Sequence, residues 1–124
     1  PMSLVTPERI ATHGDDRGEL QKLFPFCVTG EIYMVVTAPG EERGDHFHNH
    51  MGEWFTTLYG AGQLSVQLSV GGPVETIEMV LGMRYFVPKG VAHKLTNTGS
   101  EDWAVLAGAE RGYDPKDTVE HKIP

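Results

Sequence analysis

Residues 46–53 read His-Phe-His-Asn-His-Met-Gly-Glu, three imidazoles within five positions followed closely by one carboxylate. Imidazole and carboxylate are donors for divalent transition metals, and imidazole also carries protons near neutral pH. On a β-strand alternate side chains share a face, so His46 and His48 point the same way. Glu53 has the opposite parity and joins them only if the chain bends between residues 49 and 52, where "NHMG" favours a turn. The same turn decides where His50 points. In "GMRYFVPKGVAHKLTN" (82–97), Pro88 and Gly90 shape a turn and His93 opens a strand, so a distant segment can supply a further ligand.

The elements that must position these groups are short. Alternating runs separated by Gly, Pro, Asn and Asp predict strands over residues 19–24, 31–38, 53–59, 63–70, 74–80, 84–88, 93–98 and 103–109. In "QLSVQLSV" (63–70), Leu64, Val66, Leu68 and Val70 fall on one face and Ser65, Gln67 and Ser69 on the other, the pattern of a half-buried strand. No long stretch shows helical spacing, although the proline-flanked ends have room for a short turn. So many short strands must hide their edges, and a small all-β jelly roll or barrel does this.

A chain of 124 residues is one domain's worth, large enough to close a core without disulfides. Pro1 before Met2 reads as an expression remnant. The formal charge of −7 repels phosphate backbones and argues against nucleic-acid binding, while a few local arginines can still hold a diphosphate. There is neither a bilayer-length apolar run nor a signal-peptide pattern, so no membrane partner and a cytoplasmic location are expected. Cys27, the single cysteine, is expected as a small buried side chain, and His13 and His121 as solvated surface histidines.

Gly40, His46, His48, Glu53 and Gly60, with five, one, four and six residues between them, stand at the positions of the first cupin motif. Gly82, Pro88, Gly90, His93 and Asn97, with five, one, two and three between, stand at those of the second. From about residue 30 to 109 the chain therefore resembles the cupin superfamily. The resemblance implies a double-stranded β-helix, or jelly-roll barrel, with His46, His48, Glu53 and His93 around one divalent metal. Zinc is the first expectation, with iron, manganese and nickel as alternatives.

"DDRGEL" (15–20), "APGEERGDHFH" (38–48) and "GYDPKDTVEHKI" (112–123) are similar to the cupins of surface-polysaccharide biosynthesis, which include nucleotide-sugar ketoisomerases and the cupin domain of capsular-sugar enzymes. The ketoisomerases usually carry glutamine where this chain has Glu53 and use a histidine pair without a metal. The carboxylate favours the capsular branch, associated with zinc and sugar epimerisation, and the absence of the neighbouring reductase domain implies a free-standing cupin or an excised piece. The implied activity is epimerisation or isomerisation of a nucleotide-linked keto-deoxysugar by proton abstraction beside the ketone, with Tyr33 or His50 as the base. Arg17, Arg43 and Lys94 are the candidates for substrate binding, and a homodimer is expected, with "DDRGELQKLF" adding to the partner's sheet. An iron-dependent oxygenase and a non-catalytic sugar-binding or regulatory cupin are the alternatives.

Overall fold

The computed structural model describes residues 3–124. Two five-stranded antiparallel sheets face one another. The first has the order β1 (Thr6–Arg9), β9 (Met83–Val87), β6 (Glu53–Tyr59), β11 (Trp103–Ala109), β4 (Ile32–Thr37). The second runs β12 (Thr118–Glu120), β5 (Glu42–His48), β10 (Ala92–Asn97), β7 (Gly62–Gln67), β8 (Val74–Glu78). A separate hairpin pairs β2 (Thr12–Asp15) with β3 (Gly18–Gln21), and a short 3-10 turn at Pro115–Asp117 precedes β12. This is the expected all-β, cupin-type jelly roll.

Period-two alternation stacks the interior in layers. Tyr33, Val35 and Thr37 on β4, Glu53, Phe55 and Thr57 on β6, and His93, Leu95 and Asn97 on β10 occupy successive alternate positions. Phe55, Leu64, Val66, Tyr85, Val87, Leu95, Trp103 and Val105 are buried in one core. Beyond it, at the Asn97 end, Trp103 Nε1 donates to Thr57 Oγ1 at 3.1 Å, which gives the buried indole its partner. At the other end the interior positions turn polar, and there the histidines collect.

The motif positions that are not ligands serve the chain's turns. Gly60 has φ of 84°, and a Cβ there would stand 2.4 Å from the Asp102 carbonyl oxygen. Gly90, at φ 80°, donates its N–H to the His48 carbonyl at 2.7 Å and so ties the second motif to the first. Asn97 donates to the Thr37 and Glu101 carbonyls, each at 2.8 Å, and accepts from Gly99 N at 2.8 Å.

Several expectations are corrected. The strand through "QLSVQLSV" ends at Gln67. Ser65 and Gln67 are buried as well, Gln67 against His121 of the C-terminal segment and the Gly72 carbonyl and Ser65 beside Thr76, while Leu68 and Val70 pass into an exposed turn. Cys27 is exposed, in the irregular segment after β3, next to Phe26, whose ring packs on Trp54. His121 is buried, its Nε2 2.8 Å from Gln67 Oε1, because the C-terminal segment lies across the second sheet. His13 is exposed as expected.

Asn97→Ala strips three backbone groups of their partner. Leaving a group fully buried without its partner costs about 1–3 kcal/mol; only the Thr37 carbonyl bond is fully buried and the other two are partly so, and the expected loss is about 2–3 kcal/mol in urea-induced unfolding. A loss within error of zero would show that water replaces the amide.

Candidate active site

The ligand set meets between the two sheets. His46 and His48 on β5 and His93 on the neighbouring β10 form one wall, with His93 directly opposite His46 in the register. The ring centroids of His46 lie 4.9 Å from His48 and 4.8 Å from His93. Glu53 and Tyr33 face them from the other sheet. The required bend exists: Asn49–Gly52 carries the chain from β5 in one sheet to β6 in the other. On β11, between β4 and β6, the small side chains of Ala107 and Ala109 leave room for the phenol to reach the carboxylate.

Tyr33 Oη donates to Glu53 Oε2 at 2.6 Å. The other carboxylate oxygen, Oε1, lies 3.1 Å from His48 Nε2 and 3.3 Å from His93 Nε2. Despite those distances it is buried without a hydrogen bond, because neither ring directs an N–H at it. Burial alone would push the Glu53 carboxyl up; the surrounding histidines and the Tyr33 hydroxyl outweigh it and hold the group far below the ordinary carboxylate range. Burial first, and then the Glu53 charge, push the Tyr33 phenol well above its usual range, so its proton stays on Oη. Burial, with His93 and His48 alongside, lowers His46 to about 4.

The arrangement fits a divalent metal. The ligand nitrogens of His46, His48 and His93 lie within 4.8 Å of one another. His93 Nδ1 is 3.2 Å from the Val91 carbonyl, which can only accept, so a neutral His93 presents the Nε2 lone pair to the cluster. Ligands about 2.0–2.1 Å from a tetrahedral zinc stand about 3.3 Å apart, close to the spacing of Glu53 Oε1 from both imidazoles. The donor set also suits iron, manganese or nickel.

Around the cluster is a cavity of about 340 Å³ lined by Tyr33, Arg43, Glu31, Tyr113 and the ligand residues. Arg43, one of the expected substrate-binding residues, is on its wall, and one of its guanidinium nitrogens is 3.4 Å from the Val36 carbonyl. The others lie elsewhere. Arg17 is an exposed residue of the β2–β3 hairpin, held by Asp15. Lys94 points to the opposite face of β10, buried, with Nζ 3.0 Å from the Ile123 carbonyl and 3.2 Å from Glu42. His50 is aimed outward by the turn, its exposed ring 2.6 Å from Asp117 Oδ1, which removes it from the interior. Glu31 and Tyr113 also line the cavity without having been singled out: Glu31 lies outside both motifs, and Tyr113 stands in "GYDPKDTVEHKI", which was read as a segment rather than residue by residue. Their only link is structural: Glu31 Oε1 accepts from Tyr113 N at 3.0 Å.

A bulge completes the site. Asp45, at φ 59°, is the extra residue between Gly44, opposite Lys94, and His46, opposite His93. It breaks the alternation, so that Arg43, opposite the inward-facing Leu95, lines the cavity together with His46 three residues on, as bulges beside active sites often re-aim side chains.

Fold and motif residues together are of the cupin type. The chain belongs to the polysaccharide biosynthesis C-terminal domain family, whose model matches residues 13–119. It is 24% identical over 115 residues to UDP-2-acetamido-2,6-beta-L-arabino-hexul-4-ose reductase of Pseudomonas aeruginosa, with 85% of this chain and 29% of that protein covered. The chain thus spans less than a third of that relative. Among solved structures it resembles QdtA, a sugar 3,4-ketoisomerase from Thermoanaerobacterium thermosaccharolyticum in complex with TDP, at a TM-score of 0.83 and 16% identity, with 98% of this chain and 90% of that one covered. It also resembles the capsular polysaccharide assembling protein CapF from Staphylococcus aureus, at a TM-score of 0.70 and 22% identity over 92% of this chain and 34% of that one.

The low value at His46 has a consequence for metal-free protein. In the unfolded chain this histidine titrates near 6.5, and in the folded protein at about 4. Between those values the unfolded chain binds more protons, so stability falls as pH drops through the window. Chelator-treated His46→Gln should show a shallower fall in its urea midpoint across this range than the parent. Superimposable pH profiles would place the effect elsewhere.

Proposed function

We propose that the chain is a metal-dependent epimerase or isomerase domain acting on a nucleotide-linked keto-deoxysugar in surface-polysaccharide biosynthesis. The observation that carries this reading is a buried carboxylate oxygen without a donor, facing three imidazoles at the bottom of an open cavity. The family match and the likeness to a ketoisomerase that binds TDP support the substrate class. His46, His48, His93 and Glu53 would hold the ion, zinc first. Bound there, a divalent cation supplies a Lewis acid able to polarise a carbonyl oxygen.

Proton removal beside a ketone needs an acid–base group at the reacting carbon. Tyr33 is the candidate left, because His50 points outward. Its resting form is protonated, held so by burial and by Glu53, and positive charge beside Glu53 offsets the carboxylate's part in that effect. Arg43, on the cavity wall, would pair with a diphosphate.

In deuterated water, protein loaded with zinc should introduce solvent deuterium into a UDP- or TDP-linked 4-keto sugar. Tyr33→Phe should retain the metal and lose about a hundredfold to ten-thousandfold in exchange rate, whereas His48→Ala should lose both metal and turnover. An absence of exchange by the loaded parent would move the non-catalytic reading ahead. Elemental analysis of protein purified without chelators separates zinc from iron, and with it the epimerase from the oxygenase.

We further propose a homodimer built on the β2–β3 hairpin, whose residues are all exposed and which pairs with neither sheet of its own chain. Light scattering should give twice the chain mass at micromolar concentration, and a monomer mass throughout would end this proposal.

A further inference from the structure

The C-terminal segment 114–123 lies along the outside of β5, and apart from the His121 ring on Gln67 its hydrogen bonds to the rest of the chain fall on the expected ligand residues or their neighbours. Asp117 accepts from Asn49 N at 3.1 Å and His50 N at 3.2 Å, fixing the turn between His48 and Glu53. His121 N donates to the Asp45 carbonyl at 2.8 Å, and Ile123 N to Asp45 Oδ1 at 3.1 Å, fixing the bulge before His46. Thr118, opposite His48 in the β12–β5 register, places Oγ1 3.3 Å from His48 Nδ1 and 3.1 Å from the Asp114 carbonyl.

The direction of these two bonds follows from chemistry. A carbonyl oxygen only accepts, so the single hydroxyl hydrogen of Thr118 goes to Asp114. The hydroxyl oxygen is then left with lone pairs for His48, and Nδ1 must bring the hydrogen. A neutral ring with its hydrogen on Nδ1 carries a free lone pair on Nε2, the nitrogen 3.1 Å from Glu53 Oε1. We infer that Thr118 is a positioning residue, which through the Asp114 carbonyl sets the tautomer and ring orientation of His48 so that Nε2 is offered to the centre of the cluster. His93 achieves the same end through the Val91 carbonyl.

The consequence for metal affinity rests on the metal reading proposed above; the tautomer itself does not. Long-range proton–nitrogen spectra of the metal-free protein should show His48 with its hydrogen on Nδ1. Thr118→Val, which keeps the branched shape suited to a strand, should shift His48 toward the form protonated on Nε2, and Thr118→Ser should restore the parental form. Zinc affinity, read by competition with a chromophoric chelator, should fall about tenfold to a hundredfold in the valine variant and return to about the parental value with serine. A parent His48 carrying its hydrogen on Nε2 or on both nitrogens, or an unchanged tautomer in Thr118→Val, overturns the inference even if zinc binds. The expected tautomers in a parent that binds no zinc would uphold the role of Thr118 and overturn the metal reading instead.

Discussion

A carboxylate oxygen buried without a hydrogen bond is expensive, and Glu53 Oε1 is in that position. Much of the surrounding architecture bears on it. Tyr33 satisfies only the other oxygen. Alanines at 107 and 109 on the intervening strand let tyrosine and carboxylate meet, where larger side chains would fill the gap. The facing sheet contributes imidazoles, which supply either positive charge when protonated or lone pairs when neutral. Around this point the two sheets hold opposite kinds of group, anionic and phenolic on one side and basic on the other. Two-sheet packing is what brings them to a common centre.

Precision at such a centre comes from what lies behind the ligands. β5 carries two of them and is flanked by β10 on one side and by the short β12 on the other. β10 aligns His93 with His46 inside the barrel. From outside, the C-terminal segment fastens the bulge at Asp45, the His48 ring and the turn at residues 49 and 50. A strand interrupted by a bulge and ended by a sheet-to-sheet crossing has weak intrinsic definition of side-chain direction. External hydrogen bonds restore it, and this gives the segment's buried His121 and its Lys94 contact a structural role rather than a catalytic one.

What could be read from the residues is what periodicity and spacing encode. Most strands from 31 to 109 follow from alternation, though not β5, whose pattern the bulge at Asp45 interrupts, and the ten motif positions located the four side chains that meet between the sheets. The motif glycines and Asn97 were legible as a pattern, while their physical roles, a close approach at Gly60 and three backbone bonds at Asn97, needed the fold. Side-chain direction after a turn was not legible. His50 turns outward because Asp117, far along the chain, takes its ring and its backbone N–H. For the same reason His121 was misjudged: its partner Gln67 lies on a strand 54 residues away. "QLSVQLSV" misled because strict alternation describes a strand with one wet face, whereas β7 is covered on both until the chain leaves the sheet.

The identity of residue 53 decides what the cluster requires. A glutamine there would bring N–H donors, and one of them could satisfy an imidazole lone pair, leaving a closed hydrogen-bonded set of neutral groups. Glutamate has no hydrogen to give. With His93 fixed by Val91, and His48 by Thr118 as inferred, neutral rings would leave two nitrogen lone pairs beside an oxygen that also only accepts. Such a set is stable only with a proton on an imidazole or a cation among the donors. The proton is the weaker solution here, because the rings do not aim an N–H at Oε1 and so forgo the directed bond that would offset burial. A cation would need no N–H direction, only donor atoms gathered around one point, which is what the proposed metal reading asks of His46, His48, His93 and Glu53.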